Sequence, residues 1–187
     1  MIKIGVTGLV ASGKTTVTNI LSKGIYPIFN ADKEVSKIYK NKSFHAKICK
    51  VFVFNNKKNI RRKIKKLVIQ DIKNLRSLEK IIHPVIRKRL KNFIKKNKKK
   101  KILIFEIPLL IESRLMNNFN EIIFVNSKKK LRLKRFLKRE KNKKIFDILN
   151  KRQFSPSKKI KFSDYVINNN NSLKKLKKNV KIIQKKL

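Results

Sequence analysis

Gly8, Gly13, Lys14 and Thr15 stand at the spacing G-x-x-x-x-G-K-[ST], and each residue type has a use in holding a polyphosphate. The two glycines let successive backbone N–H groups turn inward where a β-carbon would obstruct them. A helix opening near Lys14 adds unpaired N–H donors and the positive end of its dipole. The Lys14 ammonium is then placed to reach β- and γ-phosphates, and the Thr15 hydroxyl to hold Mg²⁺. With Ala11, Ser12 and Thr16 completing it, segment 8–16 predicts an ATP site. The loop does not name an acceptor, because GTPases, ATPases and small-molecule kinases share it; no guanine-reading signature is evident.

A second group of residues has the right chemistry for the charge that phosphoryl transfer develops. Arg132, Arg135 and Arg139 recur at spacings of three and four, hence on one helix face. In a chain so rich in lysine, repeated arginine is informative, since the guanidinium fork suits phosphate oxygens. Arg135 and Arg139 are the preferred pair, with Arg152, beside Gln153, as a third candidate for the nucleotide; a solvated basic face is the alternative.

These residues need a frame, and the hydrophobic pattern supplies one. Residues 2–7, 25–29, 102–107, 122–125 and 165–167 read as short strands, and the continuous apolar run at 102–107 suits a sheet covered on both faces. Helical spacing follows the loop over 16–23, with Gly24 as its stop, and returns over 128–140, 144–152 and 172–186. The stretch 33–98 is helical, basic and poor in glycine; its apolar stripe (Leu75, Leu78, Ile81, Ile82, Val85, Ile86 and Leu90) is interrupted at His83-Pro84. Strands alternating with helices predict an α/β fold on a parallel sheet with right-handed crossovers. Ligands then sit at the carboxyl ends of the strands, where the loop, Asp32 and Glu106 fall. The lysine run at 98–101 reads as a solvated turn between lobes, and His45 as a surface residue.

Composition narrows the setting. A chain of 187 residues with 41 % hydrophobic residues can bury a core. No apolar run reaches the roughly 18 residues of a membrane span. One cysteine, Cys49, rules out an internal disulfide or a CxxC metal site. The opening residues lack signal-peptide character, so a cytoplasmic protein is expected. The charge of +43, from 53 Lys and Arg against 10 Asp and Glu, has two readings. One is codon drift toward Lys, Ile, Asn and Phe, preferred because the excess is spread from residue 33 to residue 186. The other is nucleic-acid binding through phosphates, as in an RNA- or DNA-binding ATPase. With no Trp, three Tyr and twelve Phe mostly at core-like positions, stacking aromatics are scarce. No specific nucleic-acid partner is expected, and a monomer is.

Several further segments make the chain resemble a known family. Asn30-Ala31-Asp32, Ile81-Ile82-His83-Pro84, Glu106-Ile107-Pro108-Leu109-Leu110-Ile111-Glu112, Arg152-Gln153 and Ser163-Asp164-Tyr165-Val166-Ile167-Asn168-Asn169 occur in the order and at the separations of dephospho-CoA kinases. The resemblance runs from residue 1 to about residue 173. It implies a P-loop NTPase fold: a five-stranded parallel sheet flanked by helices, with an inserted helical substrate lobe and a mobile lid. The divisions expected are a core of 1–31, 101–127 and 161–187, a CoA-binding lobe of 32–100 and a lid of 128–160. It also implies transfer of phosphate from ATP to the ribose 3′-hydroxyl of dephospho-CoA. Other small-molecule kinases share the fold and the loop; the His-Pro and Pro-Leu-Leu-x-Glu segments favour this one.

Asp32 matches the family's acidic residue at the end of the second strand, placed to bind or deprotonate the acceptor hydroxyl; capping the following helix is the other role open to it. Glu106, at the end of a buried strand, matches a carboxylate that supports Mg²⁺; a plain structural role is the alternative. The family more usually has Asp there, as it does at Asn30 and Asn168. His83 either meets substrate or ends a helix ahead of a proline that cannot continue it. Arg62, with Arg61, is a candidate for the substrate's phosphates, and the segment 42–59 is shorter than is usual for the family.

Overall fold

A parallel sheet of five strands organises the larger of two compact units in the computed structural model, which describes residues 1–54 and 59–187. That unit comprises Met1–Asn30 and Ile94–Leu187; the smaller is Ala31–Phe93. The strands are β1 (Ile2–Gly8), β2 (Ile28–Asn30), β3 (Ile102–Glu106), β4 (Glu121–Asn126) and β5 (Tyr165–Asn168), in the order β2-β3-β1-β4-β5. The register sets Asn30 beside Glu106 and Asn126 beside Asn168. Polar residues therefore line the carboxyl edge of an otherwise apolar sheet.

The strands are β-branched and short because both faces are covered. On one face Ile4, Val6, Ile104, Ile123, Val125 and Ile167 pack with Val17 and Leu21 of α1 (Lys14–Ser22) and with Leu176, Val180 and Ile183 further along the chain. Alternate positions, Leu103, Phe105 and Phe124, are wholly buried on the other face, where Phe105 meets Phe119 edge-on at 5.3 Å. Each such side chain stabilises by about 1.5–3 kcal/mol.

The smaller unit holds α2 (Ala31–Ile38), α3 (Lys42–Phe52), α4 (Ile60–Gln70) and most of α5 (Ile72–Lys96). Ile38, Phe44, Ile48, Ile60, Ile64, Leu78, Ile81 and Ile82 form its own core. Asn41 caps α3, its Oδ1 accepting from Ser43 N at 2.8 Å and Phe44 N at 3.4 Å. Glu34 joins α2 to α5 through Arg89 at 2.7 Å and also meets Lys37 at 2.6 Å. His45 is half-buried rather than at the surface, one ring nitrogen 2.6 Å from the Tyr39 carbonyl.

The remaining elements belong to the larger unit: a 3₁₀ turn at Met116–Asn118, α6 (Lys129–Glu140), α7 (Lys143–Arg152), α8 (Pro156–Lys161) and α9 (Leu173–Gln184). Three sequence expectations are corrected. The helix does not end at His83-Pro84: α5 runs through Pro84, which is exposed. The second strand starts at Ile28, after Ile25 and Tyr26 turn back onto the Ser22 carbonyl. The helix α8 has no counterpart among the expected elements, although Ser155-Pro156 is an N-cap and first-turn proline signal and Ser155 Oγ does accept from Lys158 N. The part of the helical stretch at 55–58 lies outside the described residues. Among the described residues no helix is long and apolar enough to cross a membrane.

Candidate active site

The loop between β1 and α1 is built from two left-handed residues, Ala11 at φ 58° and Gly13 at φ 98°. Alternating handedness of this kind turns successive N–H groups to one side, and α1 starts at Lys14, directly after the loop. Glycine is required on steric grounds too. A β-carbon on Gly8 would lie 2.6 Å from the Val125 carbonyl, and one on Gly13 would overlap the Asn169 amide. Ser12 faces inward: its N–H donates to the Leu9 carbonyl at 3.1 Å, and its enclosed hydroxyl has no partner among the described residues. It shapes the bend. Thr15 and Thr16 are exposed at the start of α1.

Lys14 is only 7 % exposed, its Nζ donating to the carbonyls of Gly8 at 3.1 Å and Leu9 at 3.0 Å. Glu106 lies behind the loop, buried among three donors. Oε1 accepts from Thr15 Oγ1 at 2.7 Å, and Oε2 accepts from Thr18 Oγ1 at 3.2 Å and Asn30 Nδ2 at 2.5 Å. Because the Thr15 hydroxyl gives its proton to Glu106, its lone pairs are left for a cation. That donor set fits a magnesium ion, which takes one or two protein oxygens and fills its shell with phosphate and water. Glu106 is engaged on both oxygens. Among the described residues no three His, Cys, Asp or Glu side chains cluster as a metal site of their own.

The arginines divide. Arg132 is 4 % exposed and works as a brace: Nε donates to Ser127 O at 3.0 Å, and Nη1 to Asn150 Oδ1 at 2.9 Å and Val10 O at 3.3 Å. Burial pushes its pKa down. Arg135 donates to Ser127 Oγ and to the Asn169 carbonyl, both at 3.1 Å, and Asn169 in turn donates to Ser12 O at 2.8 Å. Arg135 is thus two steps from the loop. Arg139 is exposed in the last turn of α6, and Arg152 is half-buried at the end of α7. A cleft of about 550 Å³ lies beside the loop, lined by Leu9, Asn126, Lys128, Arg132, Gln153 and Phe154 among others.

Sequence reasoning passed over the contacts that hold this arrangement. Gln153 bridges Val10 N and the Gly8 carbonyl; its place beside Arg152 was the available signal. Glu112 forms a buried ion pair with Lys159 at 3.0 Å and accepts from Phe154 N at 2.8 Å. Lys159 also donates to Pro108 O at 2.9 Å and Thr7 Oγ1 at 3.3 Å. Burial lowers the Lys159 pKa, and Glu112 pulls it partly back. The Pro-Leu-Leu-x-Glu segment therefore ends in an anchor for α8.

The other candidates belong to the smaller unit. Asp32 is exposed within the first turn of α2, past the cap position, where its charge suits the helix dipole. His83 is half-buried in the middle of α5, so it does not end a helix. Arg62 is exposed on α4, next to Arg61, whose guanidinium sits 5.9 Å from the Tyr39 ring centre.

A phosphate loop opening a helix, with a carboxylate behind its threonine on the neighbouring strand of a parallel sheet, defines the P-loop kinase class. Within it, the dephospho-CoA kinase family model matches residues 2–175, and the chain belongs to that family. A dephospho-CoA kinase from Bartonella henselae is 32 % identical over 189 residues, covering 98 % of this chain and 97 % of its own. A crystal structure from Thermus thermophilus is 26 % identical with a TM-score of 0.79, covering 100 % of this chain and 97 % of its own. Dephospho-CoA kinase from Campylobacter jejuni, also 26 % identical, gives a TM-score of 0.64 over 98 % of this chain and 96 % of its own.

Proposed function

We propose that this chain transfers the γ-phosphate of ATP to the ribose 3′-hydroxyl of dephospho-CoA, yielding coenzyme A and ADP. The family match over residues 2–175 is the observation that carries the acceptor, and Lys14 and Thr15 in the loop, with Glu106 behind them, support the ATP half of the reaction. In this reading Gly8, Ala11, Gly13, Lys14, Thr15 and Thr16 hold the triphosphate, largely through backbone N–H groups, and Ser12 keeps the bend. Lys14 leaves the loop carbonyls for the phosphates. Thr15, oriented by Glu106, holds Mg²⁺, which when bound neutralises charge on the β- and γ-phosphates.

Asp32 is the general base. It takes the proton of the 3′-hydroxyl as that oxygen bonds to the γ-phosphorus and the bond to the ADP oxygen breaks. Arg139 meets the charge that develops, with Arg135 and Arg152 on the nucleotide side. Segment 128–160 acts as the lid, and 32–100, with His83 and Arg62, receives dephospho-CoA. The core is 1–31, 101–127 and 161–187. The enzyme works as a cytoplasmic monomer with no specific nucleic-acid partner.

The test is to incubate the protein with ATP, Mg²⁺ and a panel of dephospho-CoA, nucleosides and nucleotides, with Lys14→Ala as the blank. Mass spectrometry reads the gain of one phosphate. Conversion of dephospho-CoA alone is expected. Turnover of ATP without a phosphorylated acceptor sinks the reading and returns attention to the +43 charge.

A further inference from the structure

Val10, at the outer bend of the loop, has both polar groups of its backbone held from segment 128–160. Gln153 Oε1 accepts from Val10 N at 2.7 Å, and Arg132 donates to Val10 O at 3.3 Å. The far end of the same amide, Gln153 Nε2, donates to the Gly8 carbonyl at 3.3 Å. The short contact with a backbone N–H identifies which amide atom is oxygen. One side chain thus spans Leu9, bridging the residues before and after it. Its own backbone is braced. Gln153 N donates to Asn150 O at 3.3 Å, Asn150 Oδ1 accepts from Arg132, and Phe154 N donates to Glu112.

The Gly8 carbonyl is also one of the two that Lys14 Nζ occupies. An ammonium has three N–H donors, and as Lys14 turns toward a phosphate its hold on those carbonyls loosens, which a second donor on Gly8 offsets. We propose that Gln153 is a positioning residue for phosphoryl transfer. It keeps the Gly8 carbonyl satisfied and the bend at Val10 in shape while Lys14 exchanges the loop carbonyls for the nucleotide. The role needs an acceptor and a donor on one planar group. Asparagine has the group but is one methylene short. Glutamate has the length but no donor for Gly8, and its charge would hold Lys14 back.

The inference rests on the ATP-dependent reading above, and the test separates the two. Binding of a fluorescent N-methylanthraniloyl derivative of ATP is measured for wild type, Gln153→Ala, Gln153→Glu, Lys14→Met and the Gln153→Ala/Lys14→Met double variant, alongside melting temperature and steady-state kinetics. Gln153→Ala is expected to weaken nucleotide binding about five- to tenfold, the scale of one buried hydrogen bond. Gln153→Glu, of nearly the same shape, should weaken it at least as much. In the Lys14→Met background the Gln153→Ala change should have almost no further effect, because the exchange it serves is gone. The KM for ATP should rise while the KM for dephospho-CoA holds. Additive losses in the cycle, or a Gln153→Glu variant that binds like wild type, overturn the inference and leave the kinase reading standing. A wild-type chain that does not bind the nucleotide overturns both.

Discussion

In the larger unit Lys14, Glu106, Arg132 and Asn169 are each less than a tenth exposed and hydrogen-bonded to neighbouring groups, whereas in the smaller unit Asp32 and Arg62 lie open to water. In the proposed function, the contrast follows from what each group has to do. Donors that stabilise a polyphosphate act by being in position before it arrives, so they are worth most where packing fixes them. Groups that meet an acceptor exchange water for substrate, and exposure lets them do so without leaving a buried partner unpaired. The smaller unit invests its packing in the apolar core around Ile48, Ile64 and Ile81.

The sharpest way to break that comparison is Asp32→Asn. For the proposed general base, this change should lower kcat by about 10²–10⁴-fold while ATP affinity measured by equilibrium binding stays put. A parallel loss of ATP binding would move Asp32 into the phosphate group of residues.

Glu112→Gln probes the buried side. Leaving Lys159 without its partner should cost about 3–5 kcal/mol of stability in urea unfolding. The sign of its pH dependence follows from burial, which already lowers the Lys159 pKa and is opposed by Glu112. Without Glu112 the folded-state pKa drops further. The unfolded chain then binds more protons across the interval up to the ordinary lysine value of about 10.4. Stability climbs with pH through that interval, so the variant's deficit should shrink toward alkaline pH. A deficit independent of pH would show that the Lys159 charge is not its source.

Smaller effects separate two of the three arginines of α6, Arg135 and Arg139. Arg135→Ala, which loses Ser127 and Asn169, should cost about 1–3 kcal/mol and weaken ATP binding. Arg139→Ala should leave the melting temperature alone and lower kcat. Identical behaviour of the pair would erase the distinction drawn from burial.

Least in magnitude is an acid effect in the smaller unit. Burial raises the Glu34 pKa, but its bonds to Lys37 and Arg89 outweigh that and hold it below the ordinary value. A lowered carboxylate stabilises fully above the unfolded value of about 4.3, and the contribution fades as pH falls through the folded one. Hydrogen-exchange protection of amides in the smaller unit, corrected for the intrinsic rate at each pH, should fall over that acid range, and Arg89→Met should flatten the response.

What could be read directly from the chain was local. The phosphate loop, the strands around it and the helical lean of 33–98 depend on residue spacing over a few positions, which composition does not blur. Pro84 misled because its effect depends on which face of α5 it occupies, a property of packing. Gln153 reaches Val10 across 143 positions, and Glu112 chooses Lys159 from a chain crowded with lysines. No rule of spacing selects among so many equivalent partners. The sequence by itself determined that a triphosphate could be cradled at residues 8–16 and that a parallel sheet would carry the cradle. Only the tertiary structure decided which side chains hold the cradle still, because burial and the direction of each hydrogen bond distinguish one amide or one lysine from its many copies.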